Sequence, residues 1–316
     1  MQENFSVLKN YGEDLTNRTY VTDPAIARDE ELKKLMMVLL TPEKSAILVG
    51  KAGVGKTSIV EGLACRILND AVPNGLKGFK VIKINSSALL SKVTISGREE
   101  MVITLLIEEL KNVDKVILFI DEIHTLIGAG NTTNMDLANI LKPAIDRGAV
   151  KVIGATTDME YNTYVIRDRA FLRRFEKIDV PEPSAATTIE ILFKSLPKIE
   201  KSTGIRFRYN EYVTKMLLES IVSATSEYKR VYGLGAMYPD IAFSVLTAAF
   251  SQALFQNREF VTTLDVYNAI KTSKRIYPDS IIRELAAFRE KFKDVVRQEG
   301  IELPIVTIEE INTEEV

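Results

Sequence analysis

Gly50–Thr57 reads GKAGVGKT and matches G-x-x-x-x-G-K-[ST] at every fixed position. Glycines let a backbone wrap closely enough for its N–H groups to face phosphate oxygens. In such a loop Gly50, Lys51, Ala52, Gly53, Val54 and Gly55 cradle the anion, and Ser58 follows on the helix that the loop opens. Lys56 is placed to put its ammonium on the β/γ-phosphates and Thr57 to put its hydroxyl on Mg²⁺. The flanks agree. Ala46–Val49 is a short apolar run suited to a buried strand, and Lys56–Leu68 has the apolar spacing of a helix. Unpaired amides and the helix dipole at that junction both favour a phosphate.

The rest of the chain sets bounds on what the loop serves. At 316 residues it suits one large domain, or a large and a small one, and 46% hydrophobic with 27% charged residues is ordinary for a chain that buries a sizeable core. A net charge of −2, from 41 basic and 43 acidic side chains, gives no footprint for nucleic acid. No apolar run approaches the roughly 20 residues needed to cross a bilayer. The N-terminal segment MQENFSVLKNYGEDL lacks the basic and apolar regions of a secretory signal. The single cysteine, Cys65, cannot form an internal disulfide, so a reducing cytoplasm is the expected compartment. It reads as a small core residue.

Four runs read as strands of a covered parallel sheet: Ala46–Val49, Phe79–Ile84, Lys115–Ile120 and Lys151–Ala155. Helical patterns at Lys56–Leu68, Glu99–Leu110 and Met135–Ile145 separate them, an alternation that predicts an α/β layered domain. Pro181–Ser184 is a turn signal that closes the alternation near Glu182. Beyond it the periodicity is helical, at Ala185–Lys194, Tyr209–Ser226, Tyr238–Gln256 and Thr263–Lys274, the last with Thr262 or Thr263 as N-cap. The expected division is a large α/β domain over 1–182, a small helical domain over 183–290 and a C-terminal tail over 291–316. Within that tail the acidic stretch Glu302–Val316 reads as a tail or a peripheral strand.

A second chemical signal is Val116–Glu122, VILFIDE: an apolar strand that ends in two acids. Ligand sites in such sheets lie at the carboxyl ends of the strands. Asp121 is placed to hold Mg²⁺ and Glu122 to polarise an attacking water as general base. His124 is the only histidine. It reads as a hydrogen-bonded residue at the strand end or as one that orients groups near the magnesium site. Gly154–Thr157, GATT, closes the fourth strand with hydroxyls at its tip, and Arg173-Arg174 follow Phe171-Leu172 as a paired cationic step.

Together these residues resemble AAA+ ATPases, and more narrowly the first ATPase module of the Clp-type unfoldases and disaggregases. The resemblance spans roughly residues 15–275. It rests on Asp23-Pro24 with Arg28–Glu30, GKAGVGKTSIVEGLA, Val72-Pro73 with Gly75–Gly78, and VILFIDEIHTLIGAG. It continues in Leu141–Ala144, GATT, Leu172–Phe175 and Tyr238–Asp240. It implies a P-loop NTPase fold, a three-layer α/β/α domain with a parallel sheet and a small helical lid. It also implies ATP and Mg²⁺ as cofactors. Carried onto this chain, Lys56 and Thr57 are nucleotide and magnesium contacts, Asp121 the magnesium acid, Glu122 the base and Thr157 the γ-phosphate sensor. Arg173 and Arg174 become fingers that act on a neighbouring subunit's nucleotide, which requires a ring, usually a hexamer, of this chain or of related ATPase subunits. Ala25 and Ile26 line the adenine pocket, with Ile189, Pro239 and Asp240 covering the base from the helical domain.

The sequence also departs from the family pattern. Where the family carries an aromatic residue before Arg-Gly to grip substrate, this chain has Thr94-Ile95-Ser96-Gly97. Met237 or Ile241 stands where a second sensor arginine or lysine is expected, and Ala27 replaces a glycine before Arg28. Two functions follow. One is a ring-forming ATPase that remodels or unfolds a protein substrate, directly or through an adaptor. The other is a nucleotide-gated regulatory ATPase that switches protein partners without threading them. Nucleic-acid handling is disfavoured by the charge balance, and no membrane is implied.

Overall fold

In the computed structural model, which describes residues 6–95, 98–128, 145, 150–231, 237–307 and 310, the sheet is the element buried from both sides. Its strands belong to a chain order of β1 (Gly12–Asp14), β2 (Ser45–Val49), β3 (Lys80–Asn85), β4 (Lys92–Ile95), β5 (Arg98–Met101), β6 (Val116–Asp121), β7 (Val150–Thr156) and β8 (Phe175–Asp179). Every residue of β2 and β7 is buried, as is every residue of β6 but Asp121. Continuous apolar runs of this kind mark strands covered on both faces. One set of alternating side chains (Ile47, Val49, Leu118, Ile120, Val152) packs with Ile103, Leu106 and Leu110 of the helix Val102–Leu110. The other set, among them Leu48, Phe119 and Ile153, is equally buried on the side of the helices Asp29–Leu40 and Lys56–Leu68.

Among the described residues six strands form this sheet, in the order β1-β3-β6-β7-β2-β8. All pairs are parallel except β1 with β3, where Gly12 lies opposite Ile84. The four strands expected from sequence are β2, β3, β6 and β7. The two edge strands are additions. β1 is Gly-Glu-Asp and carries no apolar signal, and in β8 only Phe175 and Ile178 of five residues are buried. The helix expected from Glu99 begins at Val102, because 98–101 form β5 and pair antiparallel with β4, Ile95 opposite Arg98. The apolar helical spacing itself starts at Val102. Cys65 is half-buried rather than a core residue, on a helix whose buried face is Ile59, Val60, Leu63, Ala64 and Ile67. The candidate helix Met135–Ile145 lies outside the described residues apart from Ile145, which is buried in a helix. Leu141–Ala144, Ser96-Gly97 and Ala129-Gly130 also lie outside them.

The chain divides into two compact units, Met1–Lys51 with Gly55–Pro181, and Ala52–Val54 with Glu182–Val316. The second is built from the helices Ala185–Thr203, Glu211–Ala224, Asp240–Phe255, Thr263–Lys271, Pro278–Lys291 and Lys293–Glu299. Three of these starts carry side-chain caps. Ser184 Oγ accepts from Thr187 N–H at 3.1 Å, Asn210 Oδ1 accepts from Val213 N–H at 2.9 Å, and Thr262 with Asp265 forms a capping box. The helical core contains Leu217, Ile241, Phe250, Tyr267 and Phe288. Phe292, Leu303 and Val306 are buried in the same core, although sequence reading places them in a tail. Leu303 and Val306, two apolar residues in an acidic stretch, give too weak a period to register, whereas Phe292 carries the helical spacing of Ile281, Leu285 and Phe288 past the expected boundary. Among the described residues no helix is long and apolar enough to cross a membrane.

Phe292 is fully buried with its ring centroid 4.3 Å from that of Phe288. Phe292→Ala is expected to lower the unfolding free energy of the second unit by about 3–5 kcal/mol. The exposed neighbour Asp294→Ala should stay within about 0.5 kcal/mol of the parent. Urea titration followed by far-UV circular dichroism of the full chain measures both.

Candidate nucleotide site

β2 ends at Val49, and the loop that follows turns on glycine. Gly53 and Gly55 have φ of 80° and 101°, left-handed values that cost a side-chain-bearing residue about 1–2 kcal/mol. A Cβ on Gly50 would lie 2.3 Å from the Val180 carbonyl oxygen, so the loop leaves the sheet through a gap that only glycine fits. Gly55 then caps the helix Lys56–Leu68. Val54 is buried, Lys51 and Ala52 are exposed, and Lys56, Thr57 and Ser58 are half-buried on the first turn.

The Lys56 ammonium folds back onto this loop and donates to the carbonyls of Gly50 at 2.6 Å and Lys51 at 3.0 Å. Burial pushes its pKa down, against the opposing pull of the Asp121, Glu160 and Asp158 carboxylates. A partly desolvated cation beside exposed loop amides is an anion site. Thr57 Oγ1 donates to Asp121 Oδ2 at 3.3 Å, so an alcohol and a carboxylate oxygen stand side by side at the end of β6. Such a hard-oxygen pair fits Mg²⁺, which takes one or two protein oxygens and fills its remaining positions with water and phosphate.

Glu122 follows with φ of 51°, one of the few non-glycine residues in the left-handed region. Its N–H donates to Asp121 Oδ1 at 3.1 Å, and its carbonyl accepts from the Thr125 hydroxyl at 2.9 Å. Strain of this kind collects at functional sites. Here it turns the chain sharply after the strand and leaves Glu122 exposed. The turn is pinned from β7: Ile123 N–H donates to the Ala155 carbonyl at 3.1 Å, and the Ile123 side chain fills the space above Gly154.

Thr157 caps the short helix Asp158–Glu160 and forms a capping box with Glu160. Thr156, not singled out from sequence, is buried and shares hydrogen bonds with His124 and Glu160. The pattern Thr157-Asp-Met-Glu160 spells S/T-x-x-E and is legible in the sequence, but the sequence reading passed over it. Because β7 lies between β6 and β2, the sheet order brings Thr157, Asp121-Glu122 and the loop to one end of three adjacent strands.

Arg173 and Arg174 close the helix Arg169–Arg174, capped by Asp168, and lead into β8. Phe175 pairs with Ser45, at the opposite end of β2 from the loop. A strand of this length spans roughly 13 Å, so neither arginine lines its own phosphate loop. Arg173 is exposed, whereas Arg174 is half-buried and donates to the Ala170 carbonyl at 3.2 Å.

Ala25 and Ile26 are buried in the first unit, with Ala25 packed so closely that a Cβ on Gly62 would lie 2.2 Å from its own. In the second unit Ile189 is partly buried on the helical core, Pro239 is buried, and Asp240 is exposed and paired with Arg275 at 3.2 Å. Ala52–Val54 belongs with that unit, where a Cβ on Gly53 would lie 2.7 Å from that of Asp240. Met237 accepts a hydrogen bond from Arg230 at its sulfur, and Ile241 is wholly buried.

Residues 46–179 match the model of the ATPase family associated with various cellular activities (AAA). The chain carries an AAA ATPase domain. It is 37% identical over 268 residues to the chaperone protein ClpB of Wolinella succinogenes, a match covering 84% of this chain and 30% of that protein. It is 35% identical to ClpB of Brucella melitensis biotype 1 over 99% of this chain and 35% of that one. Among solved structures it resembles Hsp104 in a closed state with ATPγS and FITC casein (TM-score 0.70, 30% identity, 95% of this chain and 54% of that chain). It likewise resembles the S. cerevisiae Hsp104–ADP complex (TM-score 0.70, 31% identity, 96% and 51%). The chain thus spans about a third of the ClpB relatives' length and about half that of the Hsp104 chains.

The departure at Ala27 has a visible cost. Its φ is 55°, the left-handed conformation for which a glycine is suited. Ala27→Gly is expected to raise the unfolding free energy by up to about 1 kcal/mol, the relief of left-handed strain less glycine's extra chain entropy. Thermal melts of the two proteins side by side measure the difference.

Proposed function

We propose that this AAA domain binds Mg·ATP at Gly50–Ser58 and hydrolyses it as one protomer of a ring, and that the ring remodels protein substrates. The observation that carries the reading is the grouping of Lys56, the Thr57–Asp121 pair and Glu122 at one end of the parallel strands β2 and β6, which flank β7. Lys56 exchanges its two loop carbonyls for phosphate oxygens. Thr57 and Asp121 would hold Mg²⁺, whose bound charge offsets that of the triphosphate. Glu122, exposed at the turn, takes the proton of the attacking water. Thr157 senses the γ-phosphate through its hydroxyl, and Ala25 with Ile26 flanks the adenine. The strand-length separation of Arg173 and Arg174 from their own loop supports their action on a neighbour's nucleotide. Exposed Arg173 is the better placed of the two. Planar guanidinium suits that task because it binds phosphate oxygens in pairs.

A second reading, a nucleotide-gated regulator that does not thread its partner, is favoured by Ile95. It sits half-buried at the end of β4, which pairs antiparallel with β5, where an aromatic grip would lend more contact area.

Glu122→Gln is expected to retain ATP while turnover falls by about 10²-fold or more, read by equilibrium binding and phosphate release. Arg173→Ala chains should also bind ATP and lose about 10³-fold in turnover. Mixing them with Lys56→Ala chains should restore part of it, since the Lys56→Ala chains lend Arg173 to the intact loops of their neighbours. Mixtures that stay inactive would refute action in trans. Ile95→Ala separates the two readings: loss of ATP-driven unfolding of a tagged substrate at normal ATPase rate supports threading, and unchanged partner function supports the regulator.

A further inference from the structure

One carboxylate oxygen joins the two strand ends that carry the chemistry. Glu160 Oε2 accepts from the Thr157 backbone N–H at 2.9 Å and from the Thr156 hydroxyl at 3.0 Å, and lies 3.1 Å from His124 Nδ1. His124 Nδ1 is also 3.1 Å from Thr156 Oγ1, which closes a triangle. In return the Glu160 N–H donates to Thr157 Oγ1 at 3.4 Å. His124 stands two residues after Glu122, and the ring of Tyr164 stacks on it at 6.0 Å. Glu160 therefore holds the tip of β7 by two donors and faces the turn after β6 through the imidazole.

We propose that Glu160 is a positioning residue for ATP hydrolysis, fixing Thr157 against the Asp121–Glu122 turn by way of Thr156 and His124. The proposal rests on the reading of Thr157 as γ-phosphate sensor. A hydroxyl accepts and donates at once. Because the Glu160 N–H occupies an acceptor site on Thr157 Oγ1, the O–H serves as donor, to the Glu160 carboxylate or, in exchange, to a phosphate oxygen. Burial alone would raise the Glu160 carboxyl. The backbone N–H of Thr157 and the hydroxyls of Thr157 and Thr156 outweigh it, and the group stays ionised below the usual carboxylate range. An ionised acceptor makes these the stronger class of hydrogen bond, suited to holding a register.

The test compares full-length wild type, Glu160→Ala, Glu160→Gln, Thr156→Val and Thr157→Ala. The readouts are ATP affinity, kcat, KM and the imidazole resonance, which His124 supplies alone because the chain has one histidine. In Glu160→Ala, kcat should fall by about 10- to 100-fold while KM and ATP affinity hold, the cost of misplacing a group near the reaction. Glu160→Gln, which keeps an acceptor for the Thr157 N–H, should recover most of kcat. Thr156→Val should move kcat in the same direction by less, which covers the case in which Glu160→Ala fails to fold. Slowly hydrolysed ATP should shift the imidazole resonance of wild type more than ADP does, and Glu160→Ala should abolish that difference. Wild-type kcat in Glu160→Ala, with Thr157→Ala slow, overturns the positioning role alone. Parallel losses of kcat and ATP affinity, unrescued by Glu160→Gln, also overturn it, since they mark a structural effect. Wild-type kcat in Thr157→Ala overturns the sensor reading beneath it.

Discussion

A lysine ammonium held against two backbone carbonyls, partly stripped of water, is the interaction on which the rest of the first unit depends. Carbonyl dipoles hold Lys56 in place but do not neutralise it, and its depressed pKa records the cost of that burial. On the reading proposed above, a triphosphate would supply the counter-charge. The demand is met because the loop leaves a strand buried along its whole length, so the cation stands on a rigid base. β7 beside it and β6 beyond then carry hydroxyl and acid groups to the same end.

The site was legible where chemistry is local. GKAGVGKT specifies backbone turns and a helix start within eight residues, and VILFIDE specifies a buried strand that ends in acids. Neither needs long-range information. The same holds for Thr157-x-x-Glu160, whose capping box is written in four residues but gains its meaning from His124, thirty-odd positions earlier and across a strand pairing. Only the register of β6 on β7 brings those groups together. Local reading could not supply that register.

The fold was legible in its centre and not at its margins. Central strands are covered on both faces and so must be apolar throughout. Edge strands meet no such demand. Gly12–Asp14 hydrogen-bonds to β3 through its backbone with no apolar side chain to announce it. β4 and β5 are exposed or half-buried along their lengths, and there cross-strand pairing rather than an apolar period decides the structure. In the second unit Leu303 and Val306 seat on a core built mostly from helices, a contact visible only once that core exists. Ala27 is the converse case. A substitution that looks mild in sequence proves to occupy a left-handed position.

The sheet's outer margins also bear on how copies of this chain can meet. β1 lies along β3 in the antiparallel sense, so one flank of the parallel sheet is already hydrogen-bonded. The other flank is β8, which among the described residues pairs only with β2 and presents to water Glu176 and Lys177, between its buried Phe175 and Ile178, and Asp179 beyond them. Charges spaced along an open flank discourage a foreign backbone from zipping onto it. An edge charged in this way is a poor template for ladder extension, the route by which misfolded chains lock into fibres.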